Sequence, residues 1–345
     1  MPQKHHLPWN AANRYWIVVK DADAAYPALQ QAGYSTRQDV RLIKTEHTWV
    51  EAWNQLATLL IAHDVFGRAR IAVIPSESEP SSGTIEQELR GADFVSGIAK
   101  SLWLGDALME NRLVCYLQPI VDAQGMAFGY EAFARVEQGS ETVVGGASIV
   151  EAGRALNIEY RLDRFLHHKA IEAYVEFGYG GPLFINFFAG FIHRPEIYLD
   201  NLKREIERYG IPSNHIVLDI TRSEAQKNMG HLKAIGDYCR QQGYAIALDD
   251  ITNLRDAERL IHGISPDFIK MDHALTQSIT QSSTQDMIQQ LVQLSHIKKA
   301  KVIGERIESE DVFLSLKSLQ VDLFQGYYFG TPFPVRSQNK AQASS

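Results

Sequence analysis

Two adjacent carboxylates, Asp249 and Asp250, close the apolar run Tyr-Ala-Ile-Ala-Leu that begins at Tyr244, and the next basic residue is Arg255. Neighbouring acids at the end of a buried strand repel one another and resist burial unless a positive charge lies between them. A divalent cation would meet that need. A turn, or a cap on the following helix, is the alternative that the pair alone leaves open. Other apolar runs end in residues of the same kind: Glu131, Asn186, Asp219, Lys270, Glu305 and Gln325. Each has a structural reading by itself, with Asp219 and Lys270 as an ion pair, Asn186 as a turn former and Gln325 as a polar rim residue. Together, at equivalent places, they point to one site. Carboxylate and amide donors without His or Cys suit Mg2+ or Mn2+ rather than zinc. Carboxylates from several strands can hold two metal ions about 3.5 to 4 Å apart, which activate a water and neutralise a phosphoryl group for in-line displacement. In that chemistry Lys270 orients or deprotonates the water, or stabilises the attacked phosphate. His193, His262 and His273 lie near these runs without a paired ligand spacing and read as surface or helix positions.

The elements that must position these residues are short apolar runs alternating with amphipathic stretches. The runs are 113–120, 129–136, 183–188, 216–220, 245–248, 268–271, 301–303 and 323–329, and the helical patterns are 147–156, 162–177, 195–209, 227–241, 254–262 and 284–298. Such an alternation fits a (β/α)8 TIM-like barrel of roughly 250 residues, in which chemistry gathers at the carboxyl ends of the strands. An open doubly wound sheet would carry a Gly-rich phosphate loop after an early strand, and none occurs. Ahead of the barrel, strands at 15–19 and 70–74 and helices at 24–32 and 47–63 make a small α/β module without nameable chemistry. Pro75 to Gly83 lacks apolar residues and reads as a linker, and one helix is expected from Ile85 towards Asn111. The expected organisation is a regulatory or dimerisation module over 1–78, linker and connecting helix over 79–96, the barrel over 97–335 and a disordered tail over 336–345.

Composition sets the outer limits. The chain has 345 residues, 45% hydrophobic and 22% charged, with a net charge of −7, which argues against a duplex nucleic-acid binder, since that would need a basic face. Cys115 and Cys239 stand far apart without a CxxC pairing, so they read as buried apolar positions in a reducing compartment rather than as a disulfide or zinc site. No signal core and no membrane-length apolar run occurs, so a cytoplasmic protein without a membrane partner is expected. His5 and His6 read as part of a solvated tail.

At this level of detail the motifs from about Ser101 to Pro332 resemble the EAL-domain cyclic di-GMP phosphodiesterases. Tyr116 to Asp122 is similar to the opening YxQPIVD-type strand, and Glu131-Ala-Phe-Ala-Arg135 to the EALxR signature with Phe133 for Leu. Asn186 matches the Asn of an NxS segment, with Phe188 at the Ser. Ala247 to Asp250 matches ALDD, Asp267 to Asp272 matches DxIKID, and Gln325 to Gly330 with Pro332 matches QGYxFGxP. The resemblance implies a (β/α)8-like barrel whose first strand runs antiparallel to the others, and linearisation of cyclic di-GMP to pGpG with Mg2+ or Mn2+. It implies Glu131, Asn186, Asp249 and Asp250 as metal ligands, with Asp219 and Glu305 completing the set. Lys270 becomes the water-positioning base, Gln325 a support, and Arg135 with Gln118 contacts to the dinucleotide. A homodimer and a protein signalling partner are expected beside the nucleotide.

Three departures bear on activity. The family's ExTE segment is Asp219-Ile-Thr-Arg222, so one Glu is shortened to Asp219, moving its reach by roughly 1 Å or more, and a second is replaced by Arg222. In the family that second Glu holds the loop after the DD pair. The loop itself, DFGTGYSS in typical members, runs from Asp250 to Ala257 here without either glycine, and AEGVE becomes Gly304-Glu-Arg-Ile-Glu308. Three functions follow: an active phosphodiesterase, a non-catalytic cyclic di-GMP receptor signalling through its N-terminal module, or a protein-interaction barrel without nucleotide. Retention of Lys270, Glu305 and Gln325 counts against the third.

Overall fold

The computed structural model describes residues 15–37, 40–45, 49–75, 79–138, 142–178, 180–188, 195–222 and 229–335. The tail expected over 336–345, the pair His5 and His6, part of the linker, and His193 lie outside the described residues. The chain divides into two compact units, Met1–Asp106 with Glu151–Asn157, and Ala107–Val150 with Ile158–Ser345.

The first unit is built on a five-stranded antiparallel sheet in the order β2-β3-β1-β4-β5, with β1 at Tyr15–Lys20, β2 at Ser35–Arg37, β3 at Val40–Thr45, β4 at Arg70–Pro75 and β5 at Arg90–Gly91. Helices α1 (Tyr26–Gln31) and α2 (Trp49–Ala62) were expected from periodicity; β2, β3 and β5 were not. The single helix expected over 85–111 is two helices, α3 (Ser82–Glu88) and α4 (Ala92–Met109). Leu89 turns extended at ψ 127° and Arg90–Gly91 pairs with the open edge of β4, where Ala92 N–H also donates to Ala69 O at 3.1 Å. A glycine favours that break, and the edge hydrogen bonds replace those the helix gives up.

The second unit holds β6 (Leu113–Val121), β7 (Ala127–Gln138), β8 (Thr142–Gly145), β9 (Leu183–Asn186), β10 (Ile216–Thr221), β11 (Ala245–Ile251), β12 (Phe268–Met271), β13 (Lys301–Gly304), β14 (Leu323–Phe324) and β15 (Phe333–Pro334). Eight of them close a barrel: β7, β9, β10, β11, β12, β13 and β14 follow one another in parallel, and β6 seals the ring antiparallel to both β7 and β14. The expected antiparallel first strand is therefore present. The short strands β8 and β15 extend the sheet on β7 and β6. Around the ring lie α6 (Glu159–Phe177), α7 (Pro195–Arg208), α8 (Met229–Gln241), α9 (Leu254–Ile264), α10 (His273–Gln277), α11 (Ser282–Ile297) and α12 (Glu310–Ser318), while α5 (Gly146–Ala155) follows β8 and is divided between the two units. No described helix is long and apolar enough to cross a membrane. Both cysteines are buried and unbridged, and burial pushes each thiol up to about 12.

The parallel strands read as unbroken apolar runs because both faces are covered. Outward residues such as Leu183, Leu218, Ile246, Ile269 and Val302 pack with the helices, while Phe184, Val217, Ala247, Phe268, Ile303 and Leu323 fill the interior with Ile120 of β6. Phe184 meets Phe268 edge-on at 5.0 Å between centroids, plugging the barrel beneath the polar layer. Gly326, next to Gln325, lies against the backbone of Ile307 so closely that a Cβ there would come within 2.0 Å of its carbonyl oxygen. Gly326→Ala should therefore lower stability by about 2 kcal/mol through overpacking, measured by urea unfolding; an unchanged midpoint would show that the segment moves aside at no cost.

Candidate active site

Side chains alternate along a strand, so the residue two places beyond an interior apolar residue also points inward. Phe184, Val217, Ala247, Phe268, Ile303 and Leu323 form one interior layer. Two places on stand Asn186, Asp219, Asp249, Lys270, Glu305 and Gln325. Glu131 of β7 and Gln118 of the antiparallel β6 sit directly across from each other in register. The barrel thus turns eight separated sequence positions into one polar layer above an apolar plug.

Lys270 is its centre. Its Nζ lies 2.8 Å from Asp219 Oδ2, 3.0 Å from Glu131 Oε2, 2.8 Å from Glu305 Oε1 and 3.7 Å from Asp249 Oδ2. Gln325 Nε2 donates to Glu131 Oε2 at 2.9 Å and, more weakly, to Gln118 Oε1 at 3.4 Å. Gln118 Nε2 in turn donates to Gly330 O at 2.9 Å, tying the C-terminal segment to the first strand. Burial alone would push the Lys270 ammonium down, but Asp219, Asp249, Glu131 and Glu305 more than reverse this and hold it well above the usual lysine range. It stays protonated. Burial pushes the carboxyls of Asp219 and Glu305 well above the usual range, opposed by Lys270 and reinforced by Asp249 and Glu131. Glu305 keeps 17% of its side chain open, so water moderates its shift more than that of Asp219.

The DD pair sits on a β-bulge. Leu248 pairs with Ile269 and Ile251 with Met271, so Asp249 and Asp250 together face the single residue Lys270. The bulge brings Asp250 to φ +60°, a left-handed conformation uncommon for a residue with a side chain. Two contacts hold it there: Asp250 N–H donates to Asp249 Oδ1 at 2.7 Å, and Arg222 Nε donates to Asp250 O at 3.1 Å. Arg222 also pairs with Asp256 at 2.9 Å, and Asp256 accepts from Asn253 Nδ2 at 3.0 Å while its N–H donates to Asn253 Oδ1 at 2.9 Å. Asn253 is the N-cap of α9. The glycine-free loop is thus a capped helix start fastened by an arginine, and Arg222, which the motif comparison marked as a loss, is bonded to the backbone of the DD pair.

A cavity of about 490 Å³ opens over this layer, walled by Glu131, Asn186, Asp249, Asp250, Lys270, Glu305 and Gln325, with Gln118 and Arg135 at its side. Nine of the ten site residues expected from sequence therefore share one wall. Asp219 does not reach it; 1% exposed, it lies behind Lys270, and its Oδ1 is buried without a hydrogen-bond partner. Its side chain is one methylene shorter than glutamate, and Lys270 fills the space in front. Seven wall residues have no site role from sequence reading: Phe133, His273, Arg306, Glu308, Gly326, Tyr327 and Pro332. His273, which reads from sequence as a surface or helix position, opens α10 two residues beyond the strand of Lys270 and so reaches the wall; His262, by contrast, is exposed on α9. The donors fit a hard divalent cation in kind, all being oxygens, and the orphaned Asp219 Oδ1 marks an unmet demand for positive charge or a proton. Among the described residues no three His, Cys, Asp or Glu side chains already converge in ligating geometry. The Lys270 ammonium stands where their oxygens meet, and ion binding requires those carboxylates to regroup.

A family model described as EAL domain matches residues 102–332. The chain belongs to the EAL domain family. Among curated relatives it is 20% identical to cyclic di-GMP phosphodiesterase PdeF of Escherichia coli K12, over 67% of this chain and 31% of PdeF. It spans about a third of the length of the first curated relatives it matches, at 31%, 32% and 28%. The EAL domain of Xanthomonas citri FimX, solved in complex with c-diGMP, superposes with a TM-score of 0.63 at 18% identity, covering 70% of this chain and 96% of that one. YkuI of Bacillus subtilis, solved with c-di-GMP and calcium, gives 0.59 at 24% identity over 67% and 58%. These likenesses carry the EAL barrel fold; the site chemistry rests on the geometry above.

Proposed function

We propose that this EAL barrel binds cyclic di-GMP in the cavity and hydrolyses it to linear pGpG with Mg2+ or Mn2+. The observation that carries the reading is the polar layer, in which Lys270 is gripped by Glu131, Asp219 and Glu305 from three other parts of the ring, beneath a single cavity. The cyclic di-GMP named in relatives and neighbours supports the ligand. Glu131, Asn186, Asp249, Asp250 and Glu305 would hold the cation, with Asp219 behind them. When bound, the cation supplies Lewis acidity at the phosphate and lowers the pKa of a water.

The protein's own groups do the rest. Lys270, fixed as an ammonium whose three N–H groups are taken by Glu131, Asp219 and Glu305, would turn one of them to the attacking water as those carboxylates regroup, and so acts as a positioning group rather than as the proton acceptor. Glu305, which opens on the cavity, is placed to take the proton. Water oxygen bonds to phosphorus, the P–O3′ bond breaks, and the leaving 3′-oxygen takes up a proton, giving a 5′-phosphate end. Gln325 fixes the carboxylate of Glu131. Arg135 and Gln118 contact the dinucleotide, and the N-terminal unit serves as a regulatory or dimerisation module of a cytoplasmic protein.

The test is incubation of the purified protein with cyclic di-GMP and Mg2+ or Mn2+, followed by chromatography for pGpG. The expected product is pGpG in both metals and none with a chelator. The alternative reading, a non-catalytic receptor, is favoured by Asp219 lying behind Lys270 and by the absence of preassembled ligands among the described residues. Binding by calorimetry without any pGpG would decide for the receptor.

A further inference from the structure

Two residues with side chains border the cavity in left-handed backbone, Asp250 at φ +60° and Arg306 at φ +51°. Such a conformation costs a residue other than glycine roughly 1 kcal/mol or more, and strain of this kind gathers at ligand-binding and active sites. Asp250 is held by Arg222 and Asp249. Nothing comparable holds Arg306: it is exposed, and among the described residues its guanidinium has no ion pair or hydrogen bond. A strained arginine without an intramolecular partner contributes little to folding, and glycine would sit there more comfortably.

The charges of the cavity wall sharpen this. Five carboxylates, Glu131, Asp249, Asp250, Glu305 and Glu308, face three cations. Lys270 is engaged by the acids around it. Arg135 donates to Ala134 O at 2.9 Å and lies 5.4 Å from the Phe133 ring centroid. Beside Arg135, which keeps donors for the dinucleotide, Arg306 is the second cation able to offer its planar fork to a ligand, and a fork of that kind pairs with two phosphate oxygens at once.

We propose that Arg306 is a phosphate-contacting residue of this site, binding a phosphodiester group of the dinucleotide and giving the barrel affinity that does not depend on a metal ion. The inference rests on the proposed ligand and deepens that reading. The test is titration of cyclic di-GMP by calorimetry in EDTA, so that neither turnover nor metal contributes, on the full chain and on Arg306→Gly and Arg306→Lys. Arg306→Gly should bind roughly ten-fold or more weakly with a shallower dependence on ionic strength, and Arg306→Lys should fall between. Because glycine relieves the backbone, Arg306→Gly should melt no lower than the parent, which separates lost contact from lost fold. Equal or tighter binding by Arg306→Gly across ionic strengths would overturn the proposal. Arg306-dependent binding without pGpG production would sustain it while the hydrolase reading falls. Should the parent not bind cyclic di-GMP, inorganic pyrophosphate is the probe: a larger rise in Tm for the parent than for Arg306→Gly supports the contact, and equal rises refute it.

Discussion

Lys270→Met should lower stability by about 3 to 5 kcal/mol in chelator, the range for removing one partner of a buried ionic cluster, seen as a fall in Tm on the order of 10 °C. The variant leaves Glu131, Asp219, Asp249 and Glu305 facing one another with no cation between them. Its defect should depend on pH in a definite direction. Asp219 and Glu305 already have raised carboxyl pKa values from burial, and Lys270 is the group that opposes the rise. A carboxyl raised in the folded state is fully stabilising below its unfolded value of about 4 and loses that contribution as pH climbs through the folded value. The gap between variant and parent should therefore be small in acid and widen towards neutrality. Added Mg2+ or Mn2+ should restore more Tm to the variant than to the parent, since the vacated place is ringed by oxygen donors, while the proposed hydrolysis stays lost. A gap that is constant with pH, or a variant indifferent to metal, would show that Lys270 does not neutralise the cluster.

That the cluster was legible in the sequence follows from the strand period. The rule that barrel chemistry gathers at the carboxyl ends of the strands picks out Asn186, Asp219, Asp249, Lys270, Glu305 and Gln325 from sequence, and the period explains why each stands two positions beyond the barrel plug. Period gives direction but not depth. It could not say that Asp219 stops short of the cavity, because that depends on a single methylene and on where Lys270 rests. Nor could it show the bulge, since one extra residue in β11 is a matter of pairing with β12 rather than of composition. Edge pairing hid β5 in the same way: Arg90–Gly91 has no strand pattern of its own and is recruited by the free side of β4. From sequence His273 reads as a surface or helix position and Arg306 as a motif departure, because a single basic residue carries no periodic signal of a site, and only closure of the ring brings them to one wall.

Arg222 shows where motif comparison misleads, and Arg222→Glu is the second large effect expected. Read as a departure, the substitution restores a family residue and should help. The structure gives the opposite expectation. Arg222 donates to the carbonyl of Asp250 and pairs with Asp256, and Asp256 is locked to the Asn253 cap of α9. A carboxylate at position 222 would accept where a donor is needed and would face Asp256 with like charge. The left-handed turn at Asp250 would lose one of its two holds, and Asp249 would no longer be set against Lys270. A displacement of about 1 Å at a catalytic group costs on the order of 10²-fold in rate. The proposed hydrolysis should therefore fall in Arg222→Glu by roughly that factor, with faster hydrogen exchange at the amides of residues 250–257 and little change elsewhere. Exchanging the charges, with Arg222→Glu and Asp256→Arg together, should recover the exchange protection in part, since the ion pair re-forms while the bond to the Asp250 carbonyl does not. Parental activity in Arg222→Glu alone would mean that the DD pair keeps its place without the arginine.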